Sequence, residues 1–352
     1  MLMHLGGRIF SEEGEASYFS KEFLKNIIQI YNSLILKPSS ETITAELRGG
    51  GYFMSEAENN EYYNEAFARN IGILTSVEQL KLKNTRVAIA GLGGMGGVDF
   101  LTLVRMGVGR FNIADFDTYS AVNSNRQVGA TSETVGQSKI SVLTRMAKEI
   151  SPTVDIKTFP QGFNEGNAQE FLSDADIVVD AIDFFCLTAR EMLYTRARSY
   201  KKTVLFSAPL GFSSTLHVFT PESMSFHKYF DIRANMDAYD KLLAFAVGLA
   251  PKALHTKYMQ FSPEKLTQGI GSSICSACNL GSALVTTELV SIILNKKPTF
   301  AAPRYIQIDA YLLKIKKGRL LFGNRGPVQR LKRWLFGRHY AKYRNAIIKV
   351  VQ

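Results

Sequence analysis

Between Arg86 and Asp117 the chain runs through a fixed progression. An apolar run, Val87-Ala88-Ile89-Ala90, meets a glycine turn, Gly91-Leu92-Gly93-Gly94-Met95-Gly96-Gly97; an amphipathic stretch over 98–106 leads to a second apolar run, Phe111-Asn112-Ile113-Ala114, which ends in Asp115 and Asp117. A buried strand that passes through glycines into a helix and returns as a parallel strand is one β-α-β unit, the cradle of a nucleotide phosphate and its ribose. Gly91 permits the tight turn, Gly93 lets backbone N–H groups approach phosphate, and Gly96 allows close packing of helix on strand. The helix N-terminus then faces the anion, and Asp115 stands where an acid accepts hydrogen bonds from ribose hydroxyls. With strand, helix and acid all in place, a turn that serves packing alone is the weaker reading. A nicotinamide cofactor and ATP both satisfy the unit.

From Arg86 onward apolar strands alternate with helical segments: strands over 154–159, 177–181 and 204–207, helices over 134–150, 168–172 and 187–200. This predicts an α/β, Rossmann-like fold with a mostly parallel sheet and helices on both faces. After Pro209 the pattern becomes short and alternating over 215–220, as expected of an antiparallel addition, followed by helices near 234–248 and 275–294 and a late strand over 305–309. Residues 1–60 are expected to form a helical N-terminal arm, with its helix over 21–36, and a connector; 61–309 the nucleotide-binding domain; and 310–352 a basic C-terminal tail. That last stretch holds 12 of the 42 Lys and Arg and none of the 31 Asp and Glu, so the net charge of +11 resides there and the body is neutral. Such a tail suits RNA, an anionic membrane surface or an acidic protein, and charge alone does not rank them.

No apolar run approaches the roughly 18 to 20 residues of a membrane span; the longest, Leu242 to Ala250, is closed by Pro251 and Lys252. The N-terminus lacks the basic-then-apolar layout of a secretion signal. Cys186, Cys275 and Cys278 are too few for a disulfide framework. These features lead us to expect a cytoplasmic protein.

The stretch after Asp117 bears on the choice of nucleotide. Asn123-Ser124-Asn125-Arg126-Gln127 and Gly136-Gln137-Ser138-Lys139 place two cations and several amides beyond the ribose acid. Hydride transfer needs no such cluster. Cleavage of ATP between its α and β phosphates does, because charge grows on the departing pyrophosphate. Asp183, just past the strand over 177–181, lies where ligands bind in open α/β sheets, and its carboxylate suits magnesium.

Taken together, Gly91 to Gly96, Asp115-Phe116-Asp117, Asn123 with Asn125-Arg126-Gln127, Gly136 to Lys139 and Asp180-Ala181-Ile182-Asp183 come in the order and nearly the spacing of the ThiF/MoeB/HesA family, which this chain resembles over about 69–220. This is the ubiquitin-activating-enzyme-like group of adenylyltransferases. Arg69-Asn70, followed by Gln79 and Leu82, is similar to its short N-terminal motif. The resemblance implies that Gly91, Gly93, Gly94, Gly96, Asp115, Asp117, Asn123 and Gln127 hold ATP, that Arg126 and Lys139 contact its phosphates, that Asp183 binds Mg2+, and that Arg69 acts from the partner subunit of a homodimer. The implied reaction is attack of a substrate carboxylate, the C-terminus of a ubiquitin-like or sulfur-carrier protein, on the α-phosphorus of ATP. Similarity also extends to the tRNA threonylcarbamoyladenosine dehydratase type, for which the basic tail would bind tRNA. A nucleotide-binding regulatory protein without turnover is a rival from another class; a nicotinamide oxidoreductase is disfavoured by the phosphate-facing cluster.

Several residues depart from the family pattern. Many members bind zinc through two Cys-x-x-Cys pairs. This chain has only Cys275-Ser276-Ala277-Cys278, so a Zn2+ site would need His227 and Asp231, and zinc is the less favoured reading. Phe184 follows Asp183 where the family has Asn, and Arg190 comes late. Cys186 and His217 read as buried structural residues, and Asp180 as structural too. Were a thioester-forming cysteine present, Cys275 or Cys278 would be the better candidate.

Overall fold

The computed structural model describes residues 55–260 and 262–351. The arm helix expected over 21–36 lies outside them. Helix α1 (Glu56–Ala66) opens with a capping box: the Glu58 N–H donates to the Ser55 hydroxyl at 3.3 Å, and the Ser55 N–H donates to the Glu58 carboxylate at 2.7 Å. Helix α2 (Ser76–Asn84) repeats the device with Thr75 and Glu78. The first of these helices crosses residue 60, where the sequence suggested a boundary.

The sheet follows. Strand β1 (Arg86–Ala90), helix α3 (Gly96–Arg105) and strand β2 (Arg110–Ala114) form the β-α-β unit; then come α4 (Lys139–Ile150), β3 (Asp155–Phe159), α5 (Ala168–Ser173), β4 (Ile177–Asp180), α6 (Leu187–Ser199) and β5 (Val204–Phe206). Strand order is β3-β2-β1-β4-β5, all parallel, so the order reverses between β1 and β4 and opens a crevice at their C-terminal ends. Strands β6 (Pro209–Leu210), β7 (Ser213–Phe219), β8 (Arg304–Asp309) and β9 (Lys314–Arg319) extend the sheet antiparallel beyond β5. The mostly parallel, helix-covered sheet and its antiparallel addition are thus present. One apolar layer packs Leu82, Phe100, Leu143, Val285 and Leu289 on one face, and Phe171, Leu193, Phe206, Phe230 and Phe245 lie on the other.

Three local readings change. The helix expected from Thr134 starts at Lys139, because Gly136 adopts φ +84° and the Thr134 hydroxyl donates to the Gly129 carbonyl at 2.7 Å, folding 134–138 into turns. After α7 (Phe226–Phe230), α8 (Ala238–Leu249) and α9 (Pro263–Leu266), helix α10 (Cys275–Ile293) has the length and composition of a membrane span, contrary to the sequence reading. In the fold it is a core helix against α3 and β7, with Ser282, Thr286 and Glu288 among its buried residues, which is why its apolar character is broken along the sequence. Finally, the basic stretch after Ala310 contains β9 and two helices, α11 (Pro327–Tyr340) and α12 (Arg344–Ile348), that pack on α8. Three of its cations find acids in the body: Arg325 and Arg333 each donate to Asp231 at 3.0 Å, and Arg344 pairs with Asp237 and Asp240.

Candidate nucleotide site

The crevice between the C-terminal ends of β1 and β4 is closed beneath by glycine. Gly91 has φ +93°, and a Cβ there would lie 2.4 Å from the Ala181 carbonyl oxygen; a Cβ on Gly96 would lie 1.9 Å from the Gly91 carbonyl oxygen. The turn is held against both neighbouring strands, the Gly91 N–H donating to Ala114 O at 2.8 Å and the Ala181 N–H to Ala90 O at 2.9 Å.

Asp115, at the end of β2 with its side chain 9% exposed, accepts from the Leu92 N–H at 2.6 Å and from the Asp117 N–H at 2.8 Å. Burial raises its carboxyl above the usual range, opposed by the Lys139 ammonium 4.0 Å away and by the two amides. Lys139, at the start of α4 and also buried, donates to the Asp117 carboxylate at 2.7 Å. The ribose acid, the second acid and the lysine therefore form one charge cluster beside the glycine turn.

A second group covers the turn. The Arg126 stem lies against Gly94, 3.3 Å from where a Cβ would stand, and the Cys278 sulfur lies 3.1 Å from the same point. Arg126 donates to Val122 O at 3.2 Å and to Asn125 Oδ1 at 2.9 Å, and forms no ion pair among the described residues. Gln127 is buried facing Gly93, and its side-chain oxygen finds no partner among the described residues. Asn123 accepts from the Ser120 N–H at 2.9 Å, so its oxygen caps a turn while its amide N–H groups are left for another acceptor.

Across the crevice, Asp183 is exposed and accepts from the Phe185 N–H at 2.9 Å through one oxygen; among the described residues its other oxygen stays available. Arg190, late by the family pattern, is the residue that shapes this loop. Its Nε donates to Asp180 at 2.8 Å, one Nη donates to Asp183 O at 3.1 Å and the other to Ile182 O, and the guanidinium sits 4.7 Å over the Phe245 ring. Both members of the Asp180–Arg190 pair are buried.

The sequence reading missed Asp99, on the first turn of α3 directly behind the glycine turn. It is fully buried, and burial pushes its carboxyl up to about 7. Ser282 on the facing α10 is the one group that opposes the shift, and it approaches without closing a hydrogen bond. An acid at position 99 of an otherwise apolar helix face was the available signal.

Arg69 is not brought to the cluster. Its 3-10 turn, Ala68–Asn70, is tied by Asn70 to the Met106 carbonyl at 3.2 Å. That carbonyl is at the far end of α3 from the glycines, about 15 Å along a 10-residue helix. Arg69 is exposed beside Ile71, Ile73, Val77 and Leu80, four large apolar side chains that are also exposed.

The cysteine pair acquires no mate. His227 pairs with Glu191 at 3.4 Å, Asp231 pairs with Arg325, Arg333 and Arg233, and among the described residues no group of three or more His, Cys, Asp or Glu is placed to hold a metal ion. Zinc does not fit here. Burial raises the thiols of Cys186 and Cys278, and Cys278 meets the Ser273 hydroxyl at 3.6 Å. His217 is buried, bonds Leu249 O through Nε2 at 2.9 Å and is pushed down to about 4, again by burial.

Comparison with known proteins bears on the family of the chain. The chain is 35% identical over 130 residues to an adenylyltransferase and sulfurtransferase, UBA4, of Meyerozyma guilliermondii, a match covering 37% of this chain and 30% of the relative. It is 30% identical over 165 residues to the sulfur carrier protein adenylyltransferase of Thermus thermophilus, covering 47% and 59%. These matches span less than two thirds of the relatives' own length. Among solved structures, E. coli MccB in complex with MccA-N7isoASN superposes with a TM-score of 0.58 at 19% identity over 75% of this chain and 74% of that one, a likeness of fold. The model of the ThiF family matches residues 67–323, and so the chain belongs to the ThiF family.

Proposed function

We propose that this protein is an ATP-dependent adenylyltransferase that activates the C-terminal carboxylate of a small ubiquitin-like or sulfur-carrier protein, acting as a homodimer. The observation that carries the reading is the gathering of Arg126 and the unpaired Gln127 oxygen on the glycine turn, with the Asp115–Lys139–Asp117 cluster on one side and Asp183 on the other. An oxygen of the substrate carboxylate attacks the α-phosphorus; the new O–P bond forms as the bond to the bridging oxygen of the β-phosphate breaks, and pyrophosphate leaves with that electron pair. Arg126 and Lys139 offset the charge that gathers on it. Asp117 compensates Lys139 until phosphate takes its place, and Asp115 receives the ribose hydroxyls. Asp183 fits magnesium, offering a hard oxygen and room for the waters that ion keeps; when bound, it supplies charge neutralisation at the phosphates.

The exposed Arg69, at the wrong end of α3 to reach its own glycine turn, supports action across a dimer interface built on Ile71, Ile73, Val77 and Leu80. ATP–pyrophosphate exchange with candidate carrier proteins tests all of this. Arg126→Ala and Asp183→Ala are expected to lower exchange by about 10²-fold or more. Exchange indifferent to both would remove the site assignment, and binding of NADH in place of ATP would remove the reading as a whole. Mixing inactive Arg69→Ala with inactive Asp183→Ala is expected to restore part of the activity, since a mixed dimer keeps one intact site; no recovery would remove the action of Arg69 across the interface. ATP binding without exchange for any carrier would favour a regulatory protein.

A further inference from the structure

Helix α11 carries large apolar side chains on its outer face as well as on its inner one, where Phe336 and Tyr340 pack against the core. Its inner face is fastened by polar bonds: Gln329 donates to Val247 O at 3.3 Å and to Asn324 Oδ1 at 3.0 Å, Arg333 donates to Asp231, Lys332 to Pro251 O, and Tyr340 is buried. Its outer face carries Val328, Leu331, Trp334 and Leu335, which are 63, 56, 57 and 53% exposed and recur at the spacing of one helical face. Charge is sorted in the same way. The cations that turn inward meet acids or carbonyls, whereas Arg330 and Arg338 stand among the outer apolar residues with no ion pair among the described residues, Arg338 lying 5.7 Å from the Trp334 ring. No Asp or Glu occurs anywhere after Asp309.

An apolar ridge with Trp at its centre, arginines within it and no acid is the chemistry of a helix lying in a lipid interface, where the rings and branched chains enter the acyl boundary and the guanidinium groups reach the lipid phosphates. A nucleic-acid backbone would satisfy the arginines and leave four large apolar side chains facing phosphate and water. A ridge is also convex, so it suits a deformable, extended surface better than a cleft. We propose that the outward face of α11 docks this protein on an anionic membrane surface, with Trp334, Leu331, Leu335 and Val328 inserted and Arg330 and Arg338 on the headgroup phosphates.

Trp334 is the chain's one tryptophan, so its emission reports on this face alone. The full-length protein is titrated with vesicles of phosphatidylcholine, with and without phosphatidylglycerol, and with the same vesicles carrying quencher-labelled acyl chains. The mixed vesicles are expected to shift the emission to the blue and to quench it, whereas phosphatidylcholine alone leaves it near its starting value. Arg330→Gln and Arg338→Gln are each expected to weaken binding about fivefold. Leu331→Ser with Leu335→Ser, at exposed positions, is expected to abolish the shift while thermal unfolding stays unchanged. Four results overturn the proposal: no shift with anionic vesicles; a shift produced by RNA in their place; a shift that follows protein concentration without lipid, which assigns the face to a second copy; or emission already blue that reddens when residues 1–53 are deleted, which assigns it to the chain's own N-terminal segment.

Discussion

Replacing Arg190 with methionine is expected to lower the free energy of unfolding by about 3–5 kcal/mol, because it strips a buried carboxylate of its one cation among the described residues. Asp180 and Arg190 are 0 and 4% exposed at the side chain, and the arginine also donates to the carbonyls of Ile182 and Asp183. Methionine fills the volume but leaves the Asp180 charge with the Ile182 N–H, which donates to it at 3.1 Å, and without its cation. Adding Asp180→Asn removes that charge, and the double variant is expected to recover most of the loss in urea unfolding near neutral pH. ATP affinity behaves differently: it falls in both, since the 182–183 loop loses its two donors in both. A single variant that unfolds within about 1 kcal/mol of the parent would show that the pair is not the brace described here.

Asp99→Asn is expected to stabilise the protein above neutral pH. The Asp99 carboxyl, pushed up by burial to about 7 from an ordinary 3.8, keeps its proton in the folded chain over a range where the unfolded chain has released it. The stabilisation this provides is complete below the ordinary value and is lost as pH rises toward 7; by then the cost of the buried charge reaches on the order of 4 kcal/mol. Asparagine copies the neutral acid and has no such cost. Its advantage should therefore grow across this window, be near zero at the acidic end and level off above about pH 7, as read by denaturant midpoints at several pH values. Parallel stability curves for parent and variant would show that Asp99 is ionised, or solvated, at every pH.

The β-α-β unit, the alternation to β5 and the antiparallel turn at β7 were legible because each is local: period, glycine and acid lie within one short stretch. Asp115 and Asp183 could be singled out for the same reason, one at a strand end and the other just past one, and Arg126 and Lys139 as the cations of the connection that follows β2. What was hidden depends on partners remote in sequence. Arg190 is only an arginine that comes late in the family pattern until Asp180 and the 182–183 carbonyls are placed around it. Cys278 is one half of an incomplete metal motif until α10 brings its sulfur over Gly94. The cations after Ala310 read as a tail because their acids, Asp231, Asp237 and Asp240, lie roughly a hundred residues away along the chain. The β9 strand was concealed by composition, since Lys314-Ile315-Lys316-Lys317-Gly318-Arg319 has one residue of strong strand preference.

That composition has a consequence for how copies of the protein can assemble. As the last strand beside β8 among the described residues, β9 has a row of backbone N–H and C=O groups on its outer edge, a template on which a second copy could add its own β9 and prolong the sheet. Any such addition would bring Lys314, Lys316 and Lys317 of one molecule alongside the same lysines of the next, and like charges facing each other across a ladder are destabilising. Strand addition is therefore opposed at this edge by repulsion, and an interface between copies is better built away from β9.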